Sequence, residues 1–138
     1  MKYLKKTQAD IVKNPTLNLH LRDEKSKKFV SFEALLDTGF SGYLAINQKI
    51  AELLSLEFLG GVDTINADNV RVSNPLYKTE LLLPDLDLIQ TSFYATCISK
   101  NNQQDEIIIG SKLLLHICSL NEVKLIFDYN ENEIYFEK

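Results

Sequence analysis

Asp37-Thr38-Gly39 is the triplet in this sequence with the strongest claim to chemistry. The run before it, Phe29 to Leu36, alternates like a strand and becomes apolar on both faces at Ala34-Leu35-Leu36, so it heads into the core and delivers a carboxylate at its end. A carboxylate placed in that way can exchange a proton with a substrate or a water. It can equally cap the backbone N–H groups of its own turn, with Thr38 and Gly39 serving only the turn. Average residue usage produces such a triplet in roughly a few per cent of chains of this length, so the triplet decides nothing without context. That context comes further along the chain, where Ile108-Ile109-Gly110 reads as a buried strand opening a helix through Ser111-Lys112-Leu113-Leu114.

Other chemistries find less support. His20 falls in a period-two strand and His116 in a short helix, neither with a cysteine or carboxylate at metal-ligand spacing, so no metal and no cofactor is implied. Ser41 does not sit in a Gly-x-Ser-x-Gly elbow, and no triad order is readable. Cys97 and Cys118 are read as reduced, buried and inert. Asp128 is expected to cap a turn.

The pair of motifs, Asp37-Thr38-Gly39 after an apolar strand and Ile108-Ile109-Gly110 before a helix, resembles the retropepsin-like aspartic proteases. The extension to Phe40-Ser41-Gly42-Tyr43-Leu44 is most similar to the bacterial and archaeal members, which share Asp-Thr-Gly-Phe. The resemblance runs from about Phe29 to the C-terminus and takes in Phe127-Asp128-Tyr129 and Ile134-Tyr135-Phe136. It implies a mainly β, closed acid-protease barrel with two short helices, and an endopeptidase that hydrolyses peptide bonds through a water held between two carboxylates. One carboxylate is ionised and takes the proton of the water, and the other is protonated and polarises the carbonyl. A chain with one Asp-Thr-Gly must borrow the second carboxylate from a symmetry mate, so a homodimer with its two-fold axis between the Asp37 side chains is expected. Like charges about 3 Å apart cannot both ionise, and the pair would share a proton.

On the same resemblance Asp37, Thr38 and Gly39 are the catalytic residues, with Thr38 bonding across the dimer axis and Gly39 letting backbone approach the substrate. Phe40, Ser41, Ile109 and the flap residues Ile65, Asn66 and Ala67 would contact substrate. Retroviral enzymes carry a small residue where Phe40 stands, so the ring is expected to narrow the adjacent subsite. Phe40 also forgoes the hydroxyl that pepsin-like enzymes place beside the carboxylate, which disfavours the ionised pair and predicts a less acidic optimum. The alternative is a chain that keeps this fold but binds peptides or dimerises without cleaving.

The elements that would position the triplet are mostly short strands. Thr16 to Arg22 alternates Leu17, Leu19 and Leu21 with polar residues, Asp23 to Lys28 reads as a hairpin turn, and Phe29 to Leu36 returns. Tyr43 to Ile46 predicts a strand and Asn47 an N-cap, followed by a helix with Ile50, Leu53 and Leu54 facing inward. Val62 to Val72 predicts a hairpin with its tip near Ala67-Asp68-Asn69, in the place of the family's flap. Gly60-Gly61 is either the hinge of that flap or the stop of the preceding helix. Leu76 to Leu83 and Ile89 to Ile98 predict strands, Ser99 to Glu106 a surface loop, and Ser111 to Cys118 a helix burying either Leu114 and Ile117 or Leu115 and Cys118. Val123 to Asp128 and Glu133 to Phe136 predict two strands joined at Asn130, the last of them either an interface strand of the dimer or an ordinary closing strand.

The 138 residues, with 45% hydrophobic and 25% charged, fit one globular domain spanning 1–138. A net charge of −4 gives no field for phosphates, so nucleic acid is not expected as a partner. The lysines near the start are followed by no apolar run of a secretory signal, and no stretch is long enough to span a bilayer, so the expected setting is cytoplasmic, away from membranes. The expected partners are a peptide or protein substrate and a second copy of the chain.

Overall fold

A computed structural model describes residues 3–8, 15–65, 68–84, 86, 92–100 and 107–138. In chain order the elements are β1 (Tyr3–Gln8), β2 (Thr16–Arg22), β3 (Phe29–Asp37), β4 (Leu44–Asn47), α1 (Gln48–Leu53), β5 (Glu57–Ile65), β6 (Arg71–Leu82), β7 (Phe93–Lys100), β8 (Ile108–Gly110), α2 (Ser111–Asn121), β9 (Lys124–Asp128) and β10 (Glu133–Glu137). The fold is mainly β with two short helices, as the sequence predicts. Strands β2-β3-β8-β4-β7-β6 follow one another by hydrogen bonding, and β6 returns to β2, which closes a six-stranded barrel. Strand β5 extends from β6 outside that ring.

Leucines at every second position of β2, Leu17, Leu19 and Leu21, are at most 2% exposed, because alternate side chains of a strand share one face. They meet Ala34 and Leu36 of β3, Ile109 of β8, and Leu113 and Ile117 of α2 in one core. Helix α1 starts where Asn47 Oδ1 accepts the Ile50 N–H at 2.9 Å, the expected cap. Its inward residues are Ile50, Ala51 and, just past its end, Leu54, whereas Leu53 is 67% exposed, contrary to the expected set. Helix α2 buries Leu114 and Ile117 and leaves Leu115 outside, which settles that alternative.

The hairpin of β5 and β6 starts at Glu57, five residues before the expected Val62, and its ladder runs to the pair Ile65↔Arg71. Gly60 and Gly61 are therefore strand residues and do not end α1. That helix stops at Leu54–Ser55, where Ser55 takes φ 51. Gly60, at φ 127, follows the register shift between Phe58 and Gly60, a bulge that bends the strand. Below the bulge the Phe58 ring meets the Tyr77 ring edge-on at 5.8 Å, and the Tyr77 hydroxyl accepts from Gln48 Nε2 at 2.6 Å, which ties the base of the hairpin to α1. Strand β6 continues without a break through the region expected as a separate strand at Leu76 to Leu83. The tip residues Asn66 and Ala67, the start of the Ile89 to Ile98 strand and most of the Ser99 to Glu106 loop lie outside the described residues.

Strand β1, which the sequence pattern did not suggest, pairs with β10, and β10 also pairs with β9. Both backbone edges of β10 are thus taken within the chain, which favours the closing-strand alternative for Glu133 to Phe136. Asp128 Oδ1 accepts the N–H groups of Asn130 (3.0 Å) and Glu131 (3.2 Å), the expected cap of the β9–β10 turn.

The barrel seam between β2 and β6 has two residue pairs, His20↔Leu82 and Leu21↔Leu81. One position further, Arg22 Nη1 meets Glu80 Oε2 at 2.9 Å, and Ser92 Oγ donates to Glu80 Oε1. The Ser92 hydroxyl first, and Arg22 with it, hold the Glu80 carboxyl below its ordinary range. A depressed folded-state value stabilises the fold above the unfolded carboxylate range, and the contribution disappears as pH falls through the folded value. Glu80→Gln should therefore lower the melting temperature by about 2–4 °C at neutral pH, with the difference shrinking towards zero at strongly acidic pH. Thermal unfolding followed at both pH values, and at low and high salt, checks this.

Candidate active site

The site begins with a topological fact. Strand β8 lies between β3, parallel to it, and β4, antiparallel to it. The segment joining β3 to β4 must therefore cross the end of β8, and residues 38–43 are that crossing. The register places Asp37 opposite Gly110, at the point crossed.

Asp37 is half-buried at the end of β3. Its Oδ1 accepts the Gly39 N–H at 2.9 Å, and its carbonyl accepts the Phe40 N–H at 3.1 Å, which closes a tight turn. Among the described residues nothing donates to Oδ2. Thr38 is exposed, and its hydroxyl makes no hydrogen bond among the described residues. Gly39 and Ser41 are exposed as well. The Asp37 oxygen does cap its turn, so the structural role weighed from sequence is present, but it occupies one oxygen of the two.

The underside of the crossing is fixed by α2. Its N-cap is Gly110, which has no side chain to satisfy the first N–H groups of the helix. Those groups instead serve the crossing: Gly110 N–H donates to Tyr43 O (2.9 Å), Ser111 N–H to Phe40 O (2.8 Å) and Lys112 N–H to Gly42 O (3.2 Å). Ser111 Oγ adds a second bond to Phe40 O at 3.2 Å. The fit leaves no room for a side chain at Gly110, where a Cβ would lie 2.1 Å from Gly42 O and 2.8 Å from Phe40 Cδ2. At Gly42 a Cβ would lie 2.6 Å from Phe40 Cζ. The Phe40 ring, half-buried, thus packs against both glycines.

The structure gathers Asp37, Thr38, Gly39, Phe40 and Ser41 in the crossing. Ile109 is wholly buried directly behind it, its side chain in the core and not on an open surface. Ile65 is 69% exposed near the end of β5, a strand that pairs with β6 and not with the strands of the crossing. Asn66 and Ala67 lie outside the described residues. Sequence reasoning missed Gly42 and the hydroxyl of Ser111 as parts of the site. The glycine at 42 and the small polar residue directly after Ile-Ile-Gly were the available signals. Among the described residues no group of three histidine, cysteine or carboxylate side chains gathers as a metal site, and no helix is long and apolar enough to cross a membrane. Cys97, fully buried, has its thiol pushed up to about 12 by burial, and Cys118, half-buried, is shifted in the same direction for the same reason.

No protein-family model matches the chain, and no curated protein matches its sequence. Among solved structures it is similar to a retropepsin-like aspartic protease from Rickettsia conorii, at 15% identity and a TM-score of 0.48, over 99% of this chain and 95% of that one.

Two outcomes are expected. Gly110→Ala should destabilise the fold on the order of 3 kcal/mol, because its Cβ meets backbone that cannot yield. Gly61→Ala, whose Cβ would meet the movable Ser73 Oγ at 2.9 Å and Asn74 O at an ordinary 3.8 Å, should stay within about 0.5 kcal/mol of the parent. Urea unfolding midpoints at constant m-value compare the two. In the folded protein iodoacetamide should label Cys118 before Cys97, read by mass spectrometry of peptides over time.

Proposed function

We propose that this chain is one subunit of a retropepsin-like aspartic endopeptidase, in which Asp37 acts together with the Asp37 of a second copy. The observation that carries the reading is the presentation of the triplet: Asp37 rests on a clamped crossing with Oδ1 fixed by Gly39 N–H, while Thr38 stands exposed, its hydroxyl without a hydrogen bond among the described residues. A carboxylate needed only as a turn cap gives no reason for the exposed threonine or for the close packing beneath. A two-fold axis beside the turn would supply both the second carboxylate and an acceptor for Thr38.

In the proposed pair, the two carboxylates share one proton and hold a water between them. The ionised member takes a proton from the water as its oxygen attacks the peptide carbonyl. The protonated member gives its proton to the carbonyl oxygen. Collapse of the tetrahedral intermediate returns that proton and passes the other to the leaving amine, so the dyad ends as it began. Gly39 lets substrate backbone approach, and Phe40, Ser41 and the hairpin residues from Ile65 to Ala67 would shape the subsites. The unpaired state of Cys97 and Cys118 suits a reducing, cytoplasmic setting.

The test is cleavage of a peptide library between about pH 3 and 7, with wild type beside Asp37→Asn. The expected result is cleavage that falls about a thousandfold in the variant, with the sedimentation behaviour of the dimer unchanged. The optimum should be less acidic than that of pepsin-like enzymes; activity confined below about pH 3 would contradict the argument from Phe40. Absence of cleavage at protein concentrations that force dimerisation would leave the peptide-binding or dimerisation module as the function.

A further inference from the structure

Serine at the start of a helix ordinarily accepts a hydrogen bond from an N–H one turn further on. Ser111 does something else. It is the first residue of α2, after the N-cap, and its hydroxyl reaches out of the helix to donate to Phe40 O, a residue 71 positions earlier in the chain. The same oxygen already accepts the Ser111 N–H at 2.8 Å. Both lone pairs of the Phe40 carbonyl are then engaged by one residue. A single N–H partner leaves a carbonyl free to swing about the bond direction, whereas two donors fix the peptide plane.

That plane belongs to the turn that holds the carboxylate. Phe40 N–H donates to Asp37 O, and Gly39 N–H donates to Asp37 Oδ1. We infer that the Ser111 hydroxyl is a positioning group for Asp37, fixing the Asp37–Phe40 turn through the Phe40 carbonyl. The path has one intermediate residue, and Ser111 itself is half-buried. The backbone bonds of Gly110, Ser111 and Lys112 to the crossing do not depend on the hydroxyl. Removing it should therefore loosen the turn without undoing the fold.

The kinetic part of this inference rests on the protease reading, and the structural part does not, so the experiment has two readouts. Ser111→Ala and Ser111→Thr are compared with wild type by amide hydrogen exchange at Gly39 and Phe40, with the β8 amides as internal reference, and by kcat and KM on the best peptide from the library. The expected result for Ser111→Ala is exchange at Gly39 and Phe40 about tenfold faster with β8 unchanged, and kcat about tenfold lower with KM within about twofold. Threonine keeps the hydroxyl and should restore both. Unchanged exchange at Gly39 and Phe40 in Ser111→Ala overturns the inference whatever the activity. A uniform rise across β8 as well also overturns it, because the residue is then merely structural. If wild type cleaves nothing, the protease reading fails by itself, and the exchange at Gly39 and Phe40 still decides the role of Ser111.

Discussion

The structure turns on one steric constraint, the crossing of residues 38–43 over the end of β8. Because β8 sits between β3 and β4, the connection between those strands has to pass over Gly110 at backbone contact distance, and a Cβ there would lie 2.1 Å from Gly42 O. Much of the local sequence follows from this. Glycine is required at 110 by the close approach and at 42 by the Phe40 ring. The ring fills the corner that the two glycines leave open. The N-terminus of α2, without a side-chain cap, finds its hydrogen-bond partners in the carbonyls of the crossing. A helix end and a turn, each of which would otherwise hold unsatisfied groups, satisfy one another. The expected effect of Phe40 on an adjacent subsite thus has a second side, since the half-buried ring also packs the crossing.

The barrel supports this point unevenly. The core beneath the crossing is dense: Leu36 and Ile109 are at most 5% exposed, and Leu17, Leu19, Leu113 and Ile117 pack in the same cluster. The seam between β2 and β6 is two residue pairs long and continues through the Arg22–Glu80 ion pair, whose side chains keep 27% and 15% of their area open to solvent. Such a pair is screened by salt and stabilises weakly. The Glu80 contribution to the closure of the barrel is thus lost as pH falls through its lowered range, whereas the packing under Asp37 is apolar. Beneath the turn, the groups that clamp the crossing are the backbone amides of Gly110, Ser111 and Lys112 and the Ser111 hydroxyl, and none of these carries a charge.

How much of this was legible in the sequence depended on the range of the interaction that decides each feature. Strand β2, the Asn47 cap and the Asp128 turn are set by neighbours a few residues away, and their patterns are written locally. The strand delivering Asp37 and the Ile-Ile-Gly segment could be read as two apolar runs, and their adjacency followed from a family resemblance. Gly60-Gly61 fits a flap hinge or a helix stop equally well in sequence, because a glycine pair after a helical pattern suits either; the structure removes the second, since the real stop is Ser55 in a left-handed conformation that local propensity does not favour. Leu53 was placed inward by its spacing, but a helix as short as Gln48–Leu53 has a narrow buried face, and the inward positions went to Ile50 and Ala51. Strand β1 escaped notice because its lysine-rich pattern shows no alternation; its pairing with β10 is a long-range event between the two ends of the chain. Ser111 was seen as the start of a helix, and nothing in the sequence told which way its hydroxyl would point.

The arrangement also bears on how two copies would meet. Strand β10 has β1 on one side and β9 on the other, so a partner strand finds no open edge there. An interface that brings the Asp37 side chains together must then draw on the crossing itself and on surfaces near it. The affinity of any such association depends in part on how little has to be ordered when the copies meet. Here the turn is fixed in cis by three backbone N–H groups and one hydroxyl before any partner arrives. Each chain thus holds the Asp37 turn by contacts of its own. Dimer affinity and the local geometry at Asp37 are in that case set by different residues, the first by exposed ones such as Thr38 and the second by buried contacts at Gly42, Gly110 and Ser111.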